Sequence, residues 1–216
     1  MQWLIDFDDT LVNGPITYAL REVFPRFIRE HDLVYDETRF MAVVLQCQEI
    51  ASQTGQDAVI LQELFQAMNW SEALQSTLLQ EVFDHYTPSL FPDTIPFLER
   101  LKDRGDTLYI LSNNNHAGEL AAYMEIAPYF EDVFMPQECG VAQGKPHIDI
   151  WQMLLAKSLF GDLHEVTIVG DDPWSEGLFS ERCGLLCWLL DRLNRFGTLY
   201  ESKPYRWVKT LDEVGV

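Results

Sequence analysis

With 216 residues, 47% of them apolar and 23% charged, the chain is long enough to bury a hydrophobic core and has the composition of an ordinary globular protein. Its 34 Asp and Glu against 15 Lys and Arg give a net charge of -19, which repels nucleic-acid phosphates and anionic membrane surfaces, so neither is an expected partner. The same surplus repels an anionic ligand at long range, so any phosphate site must rest on a local Lys and a metal cation.

The opening residues, MQWLIDFDDT, carry no basic region followed by a long apolar one, and nowhere do about 18 apolar residues run uninterrupted, so a cytoplasmic protein is expected. Trp3, Leu4 and Ile5 form a short apolar run that stops at Asp6 and reads as a strand buried on both faces. From Pro15 to Tyr86 the apolar residues instead recur three and four apart, which predicts helices. Four stripes can be drawn: Ile16, Leu20, Val23, Phe27; Phe40, Val44, Cys47; Ile60, Leu64, Met68; and Leu74, Leu78, Val82. Asn13-Gly14-Pro15 opens this stretch and Thr87-Pro88 begins the return, both being sequences that interrupt regular structure.

Beyond it, strand-like runs at Leu108 to Leu111 and Val166 to Val169 come after helical patterns carried by Phe97, Leu98, Leu101 and by Ile150, Leu154, Leu155. Val133 to Met135 and Leu185 to Leu189 are further strand candidates. Strands alternating with helices predict an α/β fold, a Rossmann-like parallel sheet wound with helices on both sides, with an all-helical insertion after the first strand. The expected domains are residues 1–14 and 88–216 for the core and 15–87 for the insertion. Cys47, Cys139, Cys183 and Cys187 show no paired spacing and read as reduced packing residues; Gly184 is expected to end a helix and separate the last two.

Ligands of open parallel sheets bind beyond the carboxyl ends of the strands, so the residues just past each apolar run matter most. The runs end in Asp6-Phe7-Asp8-Asp9-Thr10, in Ser112-Asn113-Asn114-Asn115 and in Gly170-Asp171-Asp172. Carboxylates gathered at one edge raise one another's pKa unless a cation compensates, and oxygen ligands without His or Cys favour magnesium over zinc.

Together these segments resemble the haloacid dehalogenase superfamily, with a helical cap inserted after the first strand. The family's DxDx[TV] motif is matched by Asp6-Phe7-Asp8-Asp9-Thr10, its Ser or Thr after a strand by Ser112, its basic residue by Lys145 before Pro146, and its acidic pair by Gly170-Asp171 followed by Glu176. The resemblance implies a phosphatase with Asp6 as nucleophile, Asp8 as acid/base, and Lys145, Ser112 and the Asn113 amide as phosphate-binding groups. It also implies Mg2+ held by Asp6, the Asp8 carbonyl and Asp171. Asp172 or Glu176 would orient the metal's waters, and Thr10 would hydrogen-bond within the first loop.

A second acid beside the nucleophile argues for phosphoryl transfer over dehalogenation, because halide departure needs no proton. The implied substrate is a small phosphorylated metabolite. A phosphomutase on the same core and a non-catalytic binding or regulatory member remain as alternatives. The cap would select the substrate, with Asn13, Arg21 and Arg39 as unranked contacts. After Lys145-Pro146 many relatives carry an acidic residue and a proline, where this chain has His147 and Ile148. His147 reads as a helix-start or surface residue and Trp174 as a packing one.

Overall fold

The computed structural model describes residues 1–54, 58–161 and 163–215, and the chain divides into two compact units: Met1–Val12 with Ser89–Val216, and Asn13–Pro88. In the first unit six strands form one wholly parallel sheet: β1 (Gln2–Ile5), β2 (Thr107–Leu111), β3 (Asp132–Phe134), β4 (Val166–Gly170), β5 (Leu186–Leu190) and β6 (Arg206–Val208), in the order β3-β2-β1-β4-β5-β6. Both neighbours of β1 run alongside it in register, so that Ile5 faces Ile110 on one side and Val169 on the other. The strand order turns back at β1, which places the reversal between β1 and β4, the position where open α/β sheets form a crevice.

Burial explains why the strands are continuous apolar runs. Trp3 and Ile5 belong to one core with Phe97, Leu98, Leu101 and Leu108, while Leu4 belongs to another with Leu111, Ile150, Leu154, Ile168 and Phe179. Successive side chains of a strand point to opposite faces, and with helices covering both faces neither set can be polar. Each such side chain contributes on the order of 1.5–3 kcal/mol by leaving water.

Five of the six strands coincide with apolar runs in the sequence. The sixth, β6, was not expected, because it is three residues long at the edge of the sheet with Arg206 exposed and Trp207 only half-buried. Leu155, counted on a helical stripe, is 37% exposed, at the far side of a helix (Asp149–Ala156) that buries Ile150, Trp151 and Leu154 instead. Cys183 ends a helix that Gly184 terminates at φ 70°, and Cys187 lies on β5.

The second unit is helical among its described residues. Its first helix runs from Pro15 to Glu30 through a wider turn at Ala19–Val23, and further helices span Glu37–Thr54, Ala58–Met68 and Gln75–His85. A turn that closes i→i+5 adds one residue and rotates the preceding turns by roughly 100° relative to a regular helix. That rotation carries Ile16, expected on the buried stripe, off the helical core, where it is 39% exposed. Val23, Phe27, Phe40, Val44, Leu64, Leu78 and Val82 meet in one core, with Phe65 set edge-on against Trp70 at 5.4 Å between ring centres. No helix of the described residues is long and apolar enough to cross a membrane.

At the amino end of the sheet, Asp106 enters β2 as a buried carboxylate. Its Oδ2 accepts hydrogen bonds from Trp3 Nε1 at 3.0 Å and Arg104 Nη2 at 2.7 Å, and its Oδ1 faces the Met1 amino group at 3.0 Å. Burial alone would raise its pKa, but these donors outweigh it and hold the carboxyl below the usual value. A depressed folded-state pKa stabilises the fold above the unfolded value of about 4 and ceases to do so as pH falls through the folded value. Asp106→Asn should therefore cost about 1–3 kcal/mol at neutral pH, as expected for hydrogen bonds to a charged group. In urea titrations the gap between parent and variant should close on acidification below about pH 4.

Candidate active site

Asp6 prolongs β1 by one residue, its N–H donating to Val169 O at 2.9 Å, so its side chain leaves the sheet at the carboxyl edge beside β4. The chain then doubles back: Asp9 takes a left-handed conformation at φ 57°, and the N–H groups of Leu11 and Val12 return to Phe7 O. Asp is among the few residues that tolerate this region. Thr10, fully buried, donates from Oγ1 to Asp6 Oδ2 at 3.3 Å, the hydrogen bond within the first loop that the sequence suggested. Arg192 steadies the loop by donating to Thr10 O at 3.1 Å while pairing through both terminal nitrogens with Asp93, at 2.8 and 3.0 Å.

Lys145 stands at the centre of the edge. Its ammonium lies 2.5 Å from Asp6 Oδ1, 2.6 Å from Glu176 Oε1 and 2.7 Å from Leu111 O, so three acceptors match its three N–H donors. The other oxygen of Glu176, Oε2, accepts the Asp172 N–H at 3.1 Å, and Oε1 also accepts from Ser175 Oγ at 2.9 Å. Asp172 is turned toward its own backbone, accepting from the N–H groups of Trp174 and Ser175 as the cap of the wide turn Pro173–Gly177. Of the two acids that sequence left unranked, Glu176 is the one in the central cluster.

Ser112, buried and immediately beyond β2, accepts the Asn114 N–H at 3.1 Å. Asn113 donates from Nδ2 to Lys145 O at 2.8 Å and so fixes the backbone that carries the ammonium. Asn114 donates from Nδ2 to Asp8 Oδ2 at 2.9 Å. Asp171 accepts Arg195 Nη2 on Oδ2 at 3.2 Å, and both residues are buried. His147 donates its N–H to Gly144 O in the turn before Asp149, and the Trp174 ring packs edge-on against Phe196 at 5.7 Å, the packing role expected of it.

Asn114, Ser175, Arg192 and Arg195 do not stand out from sequence alone. Asn114 lies inside a polar cluster that ends a strand. The two arginines come after β5 in the segment Asp191-Arg192-Leu193-Asn194-Arg195, so the rule that ligand-facing groups lie beyond the carboxyl ends of strands, applied to the fifth strand candidate as well, would have found them.

The electrostatics call for further positive charge. Burial works against the Lys145 ammonium, yet Asp6 and Glu176 outweigh it and raise its pKa. Burial pushes Asp6 up to about 8, with Glu176 and Asp8 adding to the rise and Lys145 opposing it. The contact geometry favours the ammonium–carboxylate form, in which Lys145 holds Asp6 ionised against its burial. Burial likewise raises Asp171, helped by Asp9 and opposed by Arg195. Burial also raises Asp8, with Asn114 opposing it.

Four buried carboxylates, Asp6, Asp9, Asp171 and Glu176, face two buried cations, Lys145 and Arg195, an imbalance of two formal charges. Ligand oxygens of Asp6, Asp171 and Glu176 lie within 4.8 Å of one another. Hard oxygen donors in that number and with that excess suit a small divalent ion such as magnesium.

A model of the haloacid dehalogenase-like hydrolases matches residues 4–184. Among solved structures, the chain is similar to the candidate HAD-hydrolase YfnB of Bacillus subtilis, bound to magnesium: 15% identity, 98% of this chain and 95% of that one, TM-score 0.65. A HAD phosphatase of Thermococcus onnurineus is 22% identical over 98% of this chain and 94% of that one, TM-score 0.60. A candidate beta-phosphoglucomutase of Thermotoga maritima is 17% identical over 98% and 95%, TM-score 0.61. At these identities the likeness establishes the shared fold. No curated protein sequence matches the chain.

Two glycines make the cluster possible. A Cβ on Gly170 would stand 2.1 Å from Glu176 Cγ, and one on Gly144 would stand 2.1 Å from Asn113 Oδ1 and 2.7 Å from Pro136 Cγ. Gly170→Ala must therefore drive Glu176 off Lys145, and Gly144→Ala must displace the amide that holds the Lys145 backbone. Each should lower stability by about 1–3 kcal/mol, the usual range for overpacking, as read from thermal or urea unfolding. Gly105→Ala, with an open Cβ direction but φ +79°, supplies a control for backbone strain alone.

Proposed function

This chain belongs to the haloacid dehalogenase-like hydrolase family, and from that premise we propose that it hydrolyses a small phosphate monoester with magnesium, passing the phosphoryl group through Asp6. The observation that carries the proposal is the pairing of Asp6 with Lys145, Glu176 and Asp171 in one buried cluster, with the half-buried Asp8 two residues away. Asp6 attacks phosphorus with a carboxylate oxygen, the bond to the leaving oxygen breaks, and an aspartyl-phosphate forms. Lys145 keeps Asp6 ionised and places positive charge beside the phosphoryl oxygens, where charge accumulates in the transition state.

Asp8 delivers a proton to the leaving alkoxide and afterwards takes one from the water that cleaves the aspartyl-phosphate. Its burial-raised pKa suits the first role, and the Asn114 amide holds one of its oxygens. The Ser112 hydroxyl and the Asn113 backbone N–H would hold phosphate oxygens at the end of β2. Asp6, the Asp8 carbonyl and Asp171 would hold magnesium, with Glu176 beside them, and the ion supplies charge neutralisation that lets phosphate approach an acidic edge. The same chemistry makes the proposed partner a small phosphorylated metabolite.

A panel of phosphate monoesters assayed with magnesium and with chelator tests the reading. The parent should release phosphate only with the cation, Asp6→Asn should fall to background, and Asp8→Asn should lose roughly a hundred- to ten-thousand-fold, the usual range for general acid–base catalysis. Activity surviving in Asp6→Asn would remove the nucleophile assignment. Phosphate transfer back to substrate without net release would favour a mutase. Turnover of a 2-haloacid in place of every phosphate ester would favour dehalogenation.

A further inference from the structure

We propose that Arg195 is a positioning residue that makes Asp171 a one-oxygen ligand and thereby favours Mg2+ over Ca2+ at the buried cluster, an inference that rests on the cation reading above. Arg195 Nη2 lies 3.2 Å from Asp171 Oδ2, and its side chain is 4% exposed. The turn that delivers it is pinned from within. Asp191, wholly buried, accepts the N–H groups of Arg195 at 2.6 Å and Phe196 at 3.0 Å and the Tyr200 hydroxyl at 2.6 Å. The Arg195 guanidinium also lies 4.7 Å from the centre of the Phe196 ring. It therefore reaches Asp171 from a fixed backbone, over an aromatic face, with little freedom to lose.

Carboxylate chemistry sets the consequence. Calcium takes six to eight oxygens and often binds a carboxylate through both of them, whereas magnesium holds near-octahedral geometry, keeps several waters and uses few carboxylates. A carboxylate oxygen that spends a lone pair and electron density on a buried guanidinium is a weaker donor to a cation than its partner oxygen, which disfavours chelation through both. When Asp171 binds through both oxygens, the cation competes for the oxygen that holds Arg195 and weakens a charge-assisted hydrogen bond inside the protein, where the guanidinium cannot turn to water. The penalty falls on the larger ion. Arg195 comes after β5, beyond residue 184 where the family-model match ends.

The test is calorimetric titration of the full-length protein with MgCl2 and with CaCl2, separately and without substrate, on the parent, Arg195→Met, Arg195→Lys and Asp191→Asn. The parent should prefer Mg2+. Arg195→Met should shrink that preference at least tenfold, Arg195→Lys should restore part of it, and Asp191→Asn should shift it the same way by less. A merely structural role would weaken both ions in parallel and leave the ratio unchanged. A parental ratio in folded Arg195→Met overturns the proposal, and should that variant fail to fold, parental ratios in both Arg195→Lys and Asp191→Asn do the same. A parent that prefers Ca2+ refutes the Arg195 role while leaving the cation site standing. A parent that binds neither ion removes the cation from the proposed function and this inference with it.

Discussion

The active edge depends on one buried ammonium. Lys145 reaches Asp6 after β1, the Leu111 carbonyl at the end of β2 and Glu176 in the turn after β4, so three segments distant in sequence are tied through a single atom. A buried lysine without partners would lose its proton, and a buried carboxylate without partners would gain one. Here the carboxylates hold the ammonium in its charged form and the ammonium opposes the burial of Asp6, so loss of the lysine leaves Asp6 uncompensated. The pairing is weak evidence for stability in itself, since desolvation offsets much of the attraction. Its value is electrostatic: it keeps an ionised carboxylate where water has been excluded.

That arrangement is possible because the sheet is parallel and centred on β1. With β2 and β4 in register on either side, the residues after the three strands emerge at one level. Apolar burial on both faces fixes this register, since a slip by one residue would carry Trp3 and Ile5 into the core occupied by Leu4. The polar groups are placed passively, by where the apolar runs stop. Close approach then needs Gly144 and Gly170, whose missing side chains leave room for Asn113 and Glu176.

The carboxy-terminal segment contributes more than closure of the sheet. Arg192 and Arg195, three residues apart after β5, reach different parts of the edge: one holds the Thr10 carbonyl and the other the Asp171 carboxylate. Two carboxylates, Asp93 and Asp191, hold in turn the Arg192 guanidinium and the Arg195 main chain. The site is therefore braced on the side away from β2 and β3 by a segment that carries none of the motif residues.

Much of this is legible in the sequence. Apolar runs that stop at Asp6, Ser112 and Asp171 reveal strands, because a strand buried on both faces has no polar alternation, and helical stripes such as Phe40, Val44 and Cys47 reveal themselves by the same logic at a different period. The ends of the apolar runs single out Asp6, Ser112 and Asp171, while Lys145 and the roles of all four come from the resemblance to the haloacid dehalogenase superfamily. Tertiary structure decided the features that depend on distance and direction: that Glu176 joins the cluster while Asp172 turns back to cap its own turn, that a wide turn rolls Ile16 out of the helical core, and that Arg195 lies against Asp171. Local pattern encodes which face of an element is buried. It does not encode which of two neighbouring acids points inward, or which distant arginine arrives to meet them, because those outcomes are set by contacts between segments far apart in sequence.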